Sequence, residues 1–267
     1  MEIRSKIAEF MNSKLGPTFF YILICSRNCF DYLTRCLDSV HKQTYKNYQI
    51  LFIDDASSYT KIQRKQIRNT LKGHIVHFNR KRAYAAKNIY VMLHKRNLKK
   101  DAVILNLDGD DWLADPHVLE YLDQIYNTYS CWYTYGNCKI WKSDQSTKLA
   151  SSSEVRLNRK YSQKTIKSRS FRKDIFYPLH PRTWRLFLFL QLKKNCFLDE
   201  NNNWLKFASD MMIYFPFLEL YPNKLFVIRK VLYIYNCANK LSDNKENAFQ
   251  LVRTELSIRQ KTNFTQI

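Results

Sequence analysis
The chain has 267 residues, 45% hydrophobic and 15% aromatic, enough to bury a sizeable core as one domain or as one domain with a smaller appendage. Its 44 Lys and Arg against 23 Asp and Glu give a formal net charge of +21. That charge either reflects compositional drift in a chain rich in Lys, Asn, Ile and Tyr, or attracts nucleic acid, anionic lipid or a phosphorylated ligand. No run of about 20 apolar residues occurs, which excludes a membrane-spanning helix, and four glycines leave no glycine-rich phosphate loop.

Any diphosphate must therefore be held by a metal and by basic side chains. The seven cysteines lack zinc-like spacing and read as reduced thiols, so no disulfide and no zinc are expected. Residues 1–6 lead into no signal-peptide apolar core, and the expectation is a cytosolic chain.

In chain order, a polar segment 1–18 leads into a continuous apolar strand over 19–24. Tyr32, Leu33, Cys36, Leu37 and Val40 recur at helical spacing and predict a helix over 31–42. A strand over 50–53 follows and ends in Asp54-Asp55, then a polar helix over 60–71 and a strand over 74–78. A helix over about 83–96 precedes the central apolar run from Ala102 to Leu107. This alternation predicts a mostly parallel sheet with right-handed crossovers. Beyond it come a helix over 117–129, an aromatic β segment over 131–141 and a basic stretch over 156–173 that contains no acid. That stretch reads as a solvated loop, or as a mobile lid or anion contact. A helix over 182–193, a helix over 210–220, a returning strand over 227–235 and a polar tail with a terminal helix complete the chain.

The central strand ends in Asp108-Gly109-Asp110-Asp111-Trp112. Three carboxylates so close repel one another unless a cation lies between them, and hard oxygen ligands favour Mg²⁺ or Mn²⁺. The other reading is a helix N-terminus, because the acids precede Pro116 and a helical pattern. Arg80, Lys87 and Arg182 are candidate diphosphate or acceptor contacts, or plain surface charges. His180 reads as a ligand contact or a structural hydrogen-bonding residue, Trp112 as a stacking platform or core filler, and Asp210, ahead of an apolar run, as part of a helix cap or as a site carboxylate.

Several short segments in order carry a resemblance: Ser26-Arg27-Asn28, Gln43-Thr44-Tyr45, Asp54-Asp55-Ala56-Ser57, Ala85-Ala86-Lys87-Asn88 and Leu107-Asp108-Gly109-Asp110-Asp111-Trp112. With them the chain resembles a non-processive glycosyltransferase of family 2, strongly over residues 18–130 and more weakly beyond. The resemblance implies an α/β GT-A fold, a Rossmann-like sheet flanked by helices with a C-terminal acceptor-side helical extension. It implies an N-terminal extension (1–17), a transferase domain (18–235, divided at 130 into donor and acceptor halves) and a tail (236–267).

It further implies that Asp54 and Asp55 belong to the donor site with Asp55 on the base, that Asp108 lies near ribose and metal, and that Asp110 ligates Mn²⁺ or Mg²⁺. Asp210 would be the general base of an inverting transfer of one sugar, from a UDP-sugar by family habit, to a glycan, lipid-linked or protein acceptor. Arg27 stands where many relatives place an aromatic on the base, Ala83 and Ile89 replace glycines, and the Q-x-x-R-W signature of processive members is absent. The expected location is cytoplasmic, or host cytoplasm for a viral chain, with peripheral contact to anionic membrane, and no nucleic acid partner is expected. The competing readings are a charge-driven nucleic-acid binder and a catalytically degenerate GT-A-fold module.

Overall fold
Strand parity divides the core in two. In the computed structural model, which describes residues 16–142, 154–239 and 247–264, the first strand, β1 (Phe20–Ser26), is buried along nearly its whole length. Phe20, Ile22 and Ile24 face one cluster, and Tyr21 and Leu23 face the other. A strand covered on both faces must be apolar throughout, which is why these runs carry no alternation. β2 (Tyr48–Asp54), β3 (Ile75–Phe78) and β4 (Val103–Asp108) pair parallel in the order β3-β2-β1-β4.

One face is covered by α1 (Phe30–His41), through Leu33, Leu37 and Val40, and by α4 (Val118–Thr128). α2 (Lys61–Thr70) adds only Ile67 and is held at its start by a capping box between Thr60 and Gln63. The opposite face is covered by α3 (Tyr84–His94) and by α7 (Ser209–Leu220). α7 is buried from Met211 to Glu219 and apolar all round, as a central helix must be.

Past β4 the sheet becomes mixed. β8 (Arg182–Arg185) lies antiparallel to β4, β6 (Tyr133–Trp141) antiparallel to β8, and β9 (Leu225–Asn236) parallel to β6. The short β5 (Trp112–Leu113) closes the far edge on β9, and β7 (Val155–Arg156) pairs with β6. The helix expected over 182–193 is therefore incorrect: residues 182–185 are a strand, and only α6 (Leu186–Phe189) is helical after it. Periodicity alone does not separate a short apolar run in a buried strand from a helix, and here the free edge of β4 takes the residues.

The basic stretch 156–173 holds β7 and α5 (Gln163–Ser168), and Arg172 within it is not solvated. Its guanidinium pairs with the fully buried Glu219 of α7 and also donates to the Ile258 carbonyl. Ile258 belongs to α8 (Ala248–Gln260), the helix expected in the tail, which Arg259 anchors further through the Arg172 and Asp174 carbonyls. The expected extension 1–17 and tail 236–267 fall largely or partly outside the described residues, which omit 1–15, 240–246 and 265–267. All seven cysteines are free thiols. Among the described residues no helix is long and apolar enough to cross a membrane.

Candidate active site
A cleft of about 900 Å³ opens over the C-terminal ends of β1, β2 and β4, between the two halves of the sheet. Open α/β sheets bind ligands at this end of their strands. Its floor depends on Gly109. A Cβ there would lie 2.8 Å from the Ser26 Cβ and 3.1 Å from the Ser26 Cα, so only glycine lets the loop cross the end of β1. The turn closes through the Asp111 amide, which donates to the Asp108 carbonyl at 3.0 Å.

β9 then clamps the loop from more than a hundred residues away. The Tyr233 hydroxyl donates to Asp111 Oδ2 at 2.7 Å and accepts from the Asp108 amide at 3.1 Å. The Asn236 amide donates to Asp111 Oδ1 at 2.7 Å, and its side chain donates to the Asp110 carbonyl at 3.1 Å. Asp110 Oδ2 accepts from Asn239 Nδ2 at 2.7 Å. His180 is buried, stacks on Tyr233 with centroids 4.4 Å apart, and brings Nε2 to 3.7 Å from Asp108 Oδ2.

Asp108, Asp111 and His180 each present a ligand atom within 4.8 Å of the others. Burial, then the charges of Asp110 and Asp210, push the Asp108 carboxyl up to about 6 against the opposing pull of Arg182. Burial, with the charges of Asp110 and Asp108, raises Asp111 well above the carboxylate range, and burial also raises Asp110. Burial and the nearby Arg182 hold His180 neutral, and its Nδ1 has no hydrogen-bond partner among the described residues. Crowded carboxylates beside a neutral imidazole form a donor set that fits a divalent cation.

On the β2 side, Asp55 accepts from Asn79 Nδ2 at 2.9 Å, the Ala83 amide at 2.7 Å and the Tyr84 amide at 3.0 Å. Burial disfavours its charge, but the nearby Asn88 amide and the hydrogen bonds from Ala83, Asn79 and Tyr84 outweigh it and lower the pKa. Arg27 spans the ends of β1 and β2, donating to the Asp55 carbonyl at 2.7 Å. At the opposite wall, Arg182 pairs with Asp210 Oδ2 at 2.9 Å and donates to the Pro178 carbonyl at 3.1 Å. Asn28, Ala56 and Ala208 in loops, and Tyr84 at the start of α3, take left-handed backbone conformations without being glycine. Such strain persists where the surroundings fix the geometry.

The cleft thus brings together Arg27, Asp55, Asp108, Asp110, His180, Arg182 and Asp210 of the residues singled out in the sequence. Four others are placed elsewhere. Asp54 is fully buried beneath the strand end, where its Oδ2 accepts from the Ser57 amide at 3.2 Å. Arg80 and Lys87 are exposed and do not line the cleft. Trp112 turns to the outer side of β5, in a separate groove, under Arg35 at 4.7 Å.

Arg82 and Lys206 line the cleft instead, at 4.1 Å and 5.5 Å from the Tyr84 ring. Asp111 entered the sequence analysis only as the third acid of the cluster, and Tyr233, Asn236 and Asn239 had no individual role there. Tyr233 and Asn236 of β9 lie in a stretch where the family resemblance is only weak, and Asn239 beyond it carried no signal.

The sequence profile of Glycosyl transferase family 2 matches residues 21–183. The chain belongs to glycosyl transferase family 2. A search of curated protein sequences gives no match. Among solved structures, TarS 1–349 of S. aureus in complex with UDP is 16% identical, with a TM-score of 0.59 over 90% of this chain and 65% of that one. Glucosyl-3-phosphoglycerate synthase of Mycobacterium tuberculosis, with Mn²⁺, UDP and glucosyl-3-phosphoglycerate, is 13% identical with a TM-score of 0.56, covering 97% of this chain and 85% of that one. GalNAc-T7 with UDP, GalNAc and Mn²⁺ is 16% identical with a TM-score of 0.53, covering 90% and 48%. This family 2 chain therefore has the GT-A glycosyltransferase fold and spans about 65% of the length of the TarS fragment.

Proposed function
We propose that the protein transfers a single sugar from a nucleotide-diphosphate sugar to an acceptor hydroxyl, with inversion and with a divalent cation. The observation that carries this reading is the convergence, in one cleft of a family 2 fold, of Asp55, the Asp108–Asp111–His180 cluster and the Arg182–Asp210 pair. UDP is the favoured nucleotide because all three structures named above contain it.

Asp108, Asp111 and His180 would hold the cation, with Asp110 beside them. A bound divalent cation supplies charge neutralisation for the departing diphosphate. Arg82 and Lys206 add fixed positive charge at the same cleft, the role expected of Arg80 and Lys87. Asp55 and Arg27 receive the nucleoside. Arg182 orients the Asp210 carboxylate, which takes the proton of the acceptor hydroxyl as its oxygen bonds the anomeric carbon and the bond to the diphosphate breaks on the other face.

Asp210→Asn tests the assignment. Transfer is expected to fall about 10²–10⁴-fold with nucleotide affinity unchanged, and a variant that transfers at the wild-type rate refutes Asp210 as the base.

A further inference from the structure
Among the described residues, eight large hydrophobic side chains are exposed, and six of them lie in two segments. Val155, Leu157 and Ile175 belong to the basic stretch and its end, and Phe249, Val252 and Leu256 to α8. Their exposure is high, 70% for Leu157, 66% for Ile175 and 81% for Phe249. The spacing of 249, 252 and 256 puts three apolar side chains on one face of α8. The opposite face is fastened to the domain through the buried Ile258.

The two segments meet at one place. Arg259 of α8 donates at 2.8 Å to the carbonyl of Asp174, the residue before Ile175. Both segments line the mouth of the cleft, one through Arg156 and Ile175, the other through Leu251, Glu255 and Arg259. The same two segments carry the exposed cations Arg156, Arg159, Lys160, Lys164, Lys173 and Arg253. Exposed apolar side chains on segments rich in exposed Lys and Arg match the two attractions of an anionic bilayer: insertion of apolar area at the headgroup boundary, and charge.

We propose that the rim of the cleft formed by β7, Ile175 and α8 is a docking surface for an anionic lipid bilayer. Phe249, Val252, Leu256, Leu157 and Ile175 enter the headgroup region, and the surrounding Arg and Lys side chains contact lipid phosphates. Docked in this way, the cleft opens toward the membrane, and an acceptor carried by a lipid reaches Asp210 without leaving the surface. The charge complementarity favours lipid over an apolar protein partner, because the cations of the basic stretch follow one another from 156 to 173 with no acid among them, and the rim acid Glu255 is already paired with Arg259.

Vesicle flotation of the full chain tests this without donor, acceptor or metal, so its outcome is independent of the transferase reading. Vesicles of phosphatidylcholine with about 30% phosphatidylglycerol are expected to recruit the protein, and vesicles of phosphatidylcholine alone to leave it unbound. Each exposed basic side chain contributes roughly fivefold to such partitioning, so Arg159→Glu with Lys160→Glu is expected to weaken recruitment at least about tenfold. Phe249→Ser with Val252→Ser and Leu256→Ser is expected to weaken it by a similar factor. Ile62→Ser, an exposed apolar residue on α2 away from the rim, serves as the matched control and is expected to change nothing. Circular dichroism and melting of each variant confirm folding. Wild-type protein that ignores anionic vesicles, or an α8 triple variant that binds them as wild type does, overturns the proposal. So does recruitment lost equally in the Ile62→Ser control.

Discussion

Gly109→Ala is the perturbation whose cost follows most directly from the coordinates. The added methyl would sit 2.8 Å from the Ser26 Cβ, 3.1 Å from the Ser26 Cα and 3.1 Å from the Cys29 Sγ, whereas apolar atoms rest at about 3.5–4.0 Å. Ser26 is buried, and one of the clashing atoms is backbone, so no side-chain rotation relieves the contact. The loop must lift by several tenths of an ångström, at a cost of about 1–3 kcal/mol. For a chain of this size that lowers the melting temperature by roughly 2–4 °C per kcal/mol.

The same lift pulls Asp111 from the Tyr233 hydroxyl and the Asn236 amide and spreads the Asp108–Asp111–His180 cluster. Affinity for UDP in the presence of Mn²⁺ is expected to fall at least about tenfold. Calorimetry at 15 °C, well below the transition, separates this loss from unfolding. A variant that melts and binds as wild type does would refute the argument that glycine is required at the floor of the cleft.

Three further outcomes follow from other residues. Glu219→Gln leaves Arg172, 5% exposed, without its counter-charge, and is expected to cost about 3–5 kcal/mol in urea unfolding while loosening α8. Asp55→Asn replaces a carboxylate that accepts from two backbone amides by a group with one acceptor oxygen, a loss of about 1–3 kcal/mol at neutral pH. Because the folded pKa of Asp55 lies below its ordinary value of 3.8, this contribution is complete above that value and is lost as pH falls through the folded pKa. Denaturant melts at neutral pH and below pH 3.8 should therefore show the gap between wild type and variant closing with acid. Trp112→Ala, outside the cleft, should leave UDP affinity within about twofold of wild type in the same titration. A tenfold loss would put the indole back in the site.

The parallel half was legible because its determinants are local: apolar runs for buried strands, helical spacing between them, and acids at the strand ends. Asp55, Asp108 and Asp210 could be picked out for the same reason, since each stands beside a strand end or a helix start. The 182–185 strand was not legible, because its identity depends on the open edge of β4, about eighty residues earlier. The two readings of Trp112 could not be separated in the sequence for a related reason. Consecutive residues at a strand point to opposite sides, so burying Asp111 against Tyr233 sends the next side chain outward to Arg35.

Arg80 and Lys87 stand within a few residues of Arg82, and which of the three lines the cleft is decided by the fold of the turn into α3, which their residue types do not reveal. The contacts of Asn236 and Asn239 with the acid loop, and of His180 with Asp108, were not legible, because each joins residues more than seventy positions apart.

The central claim is that the acid cluster at the end of β4 binds a divalent cation and, with it, the diphosphate of the donor. Isothermal calorimetry of UDP binding, with Mn²⁺ and again with chelator, on wild type and Asp108→Asn tests it most directly. The wild type is expected to bind only with Mn²⁺, and the variant to show no measurable binding although it remains folded. Equal UDP binding with and without metal, or by both proteins alike, would contradict it.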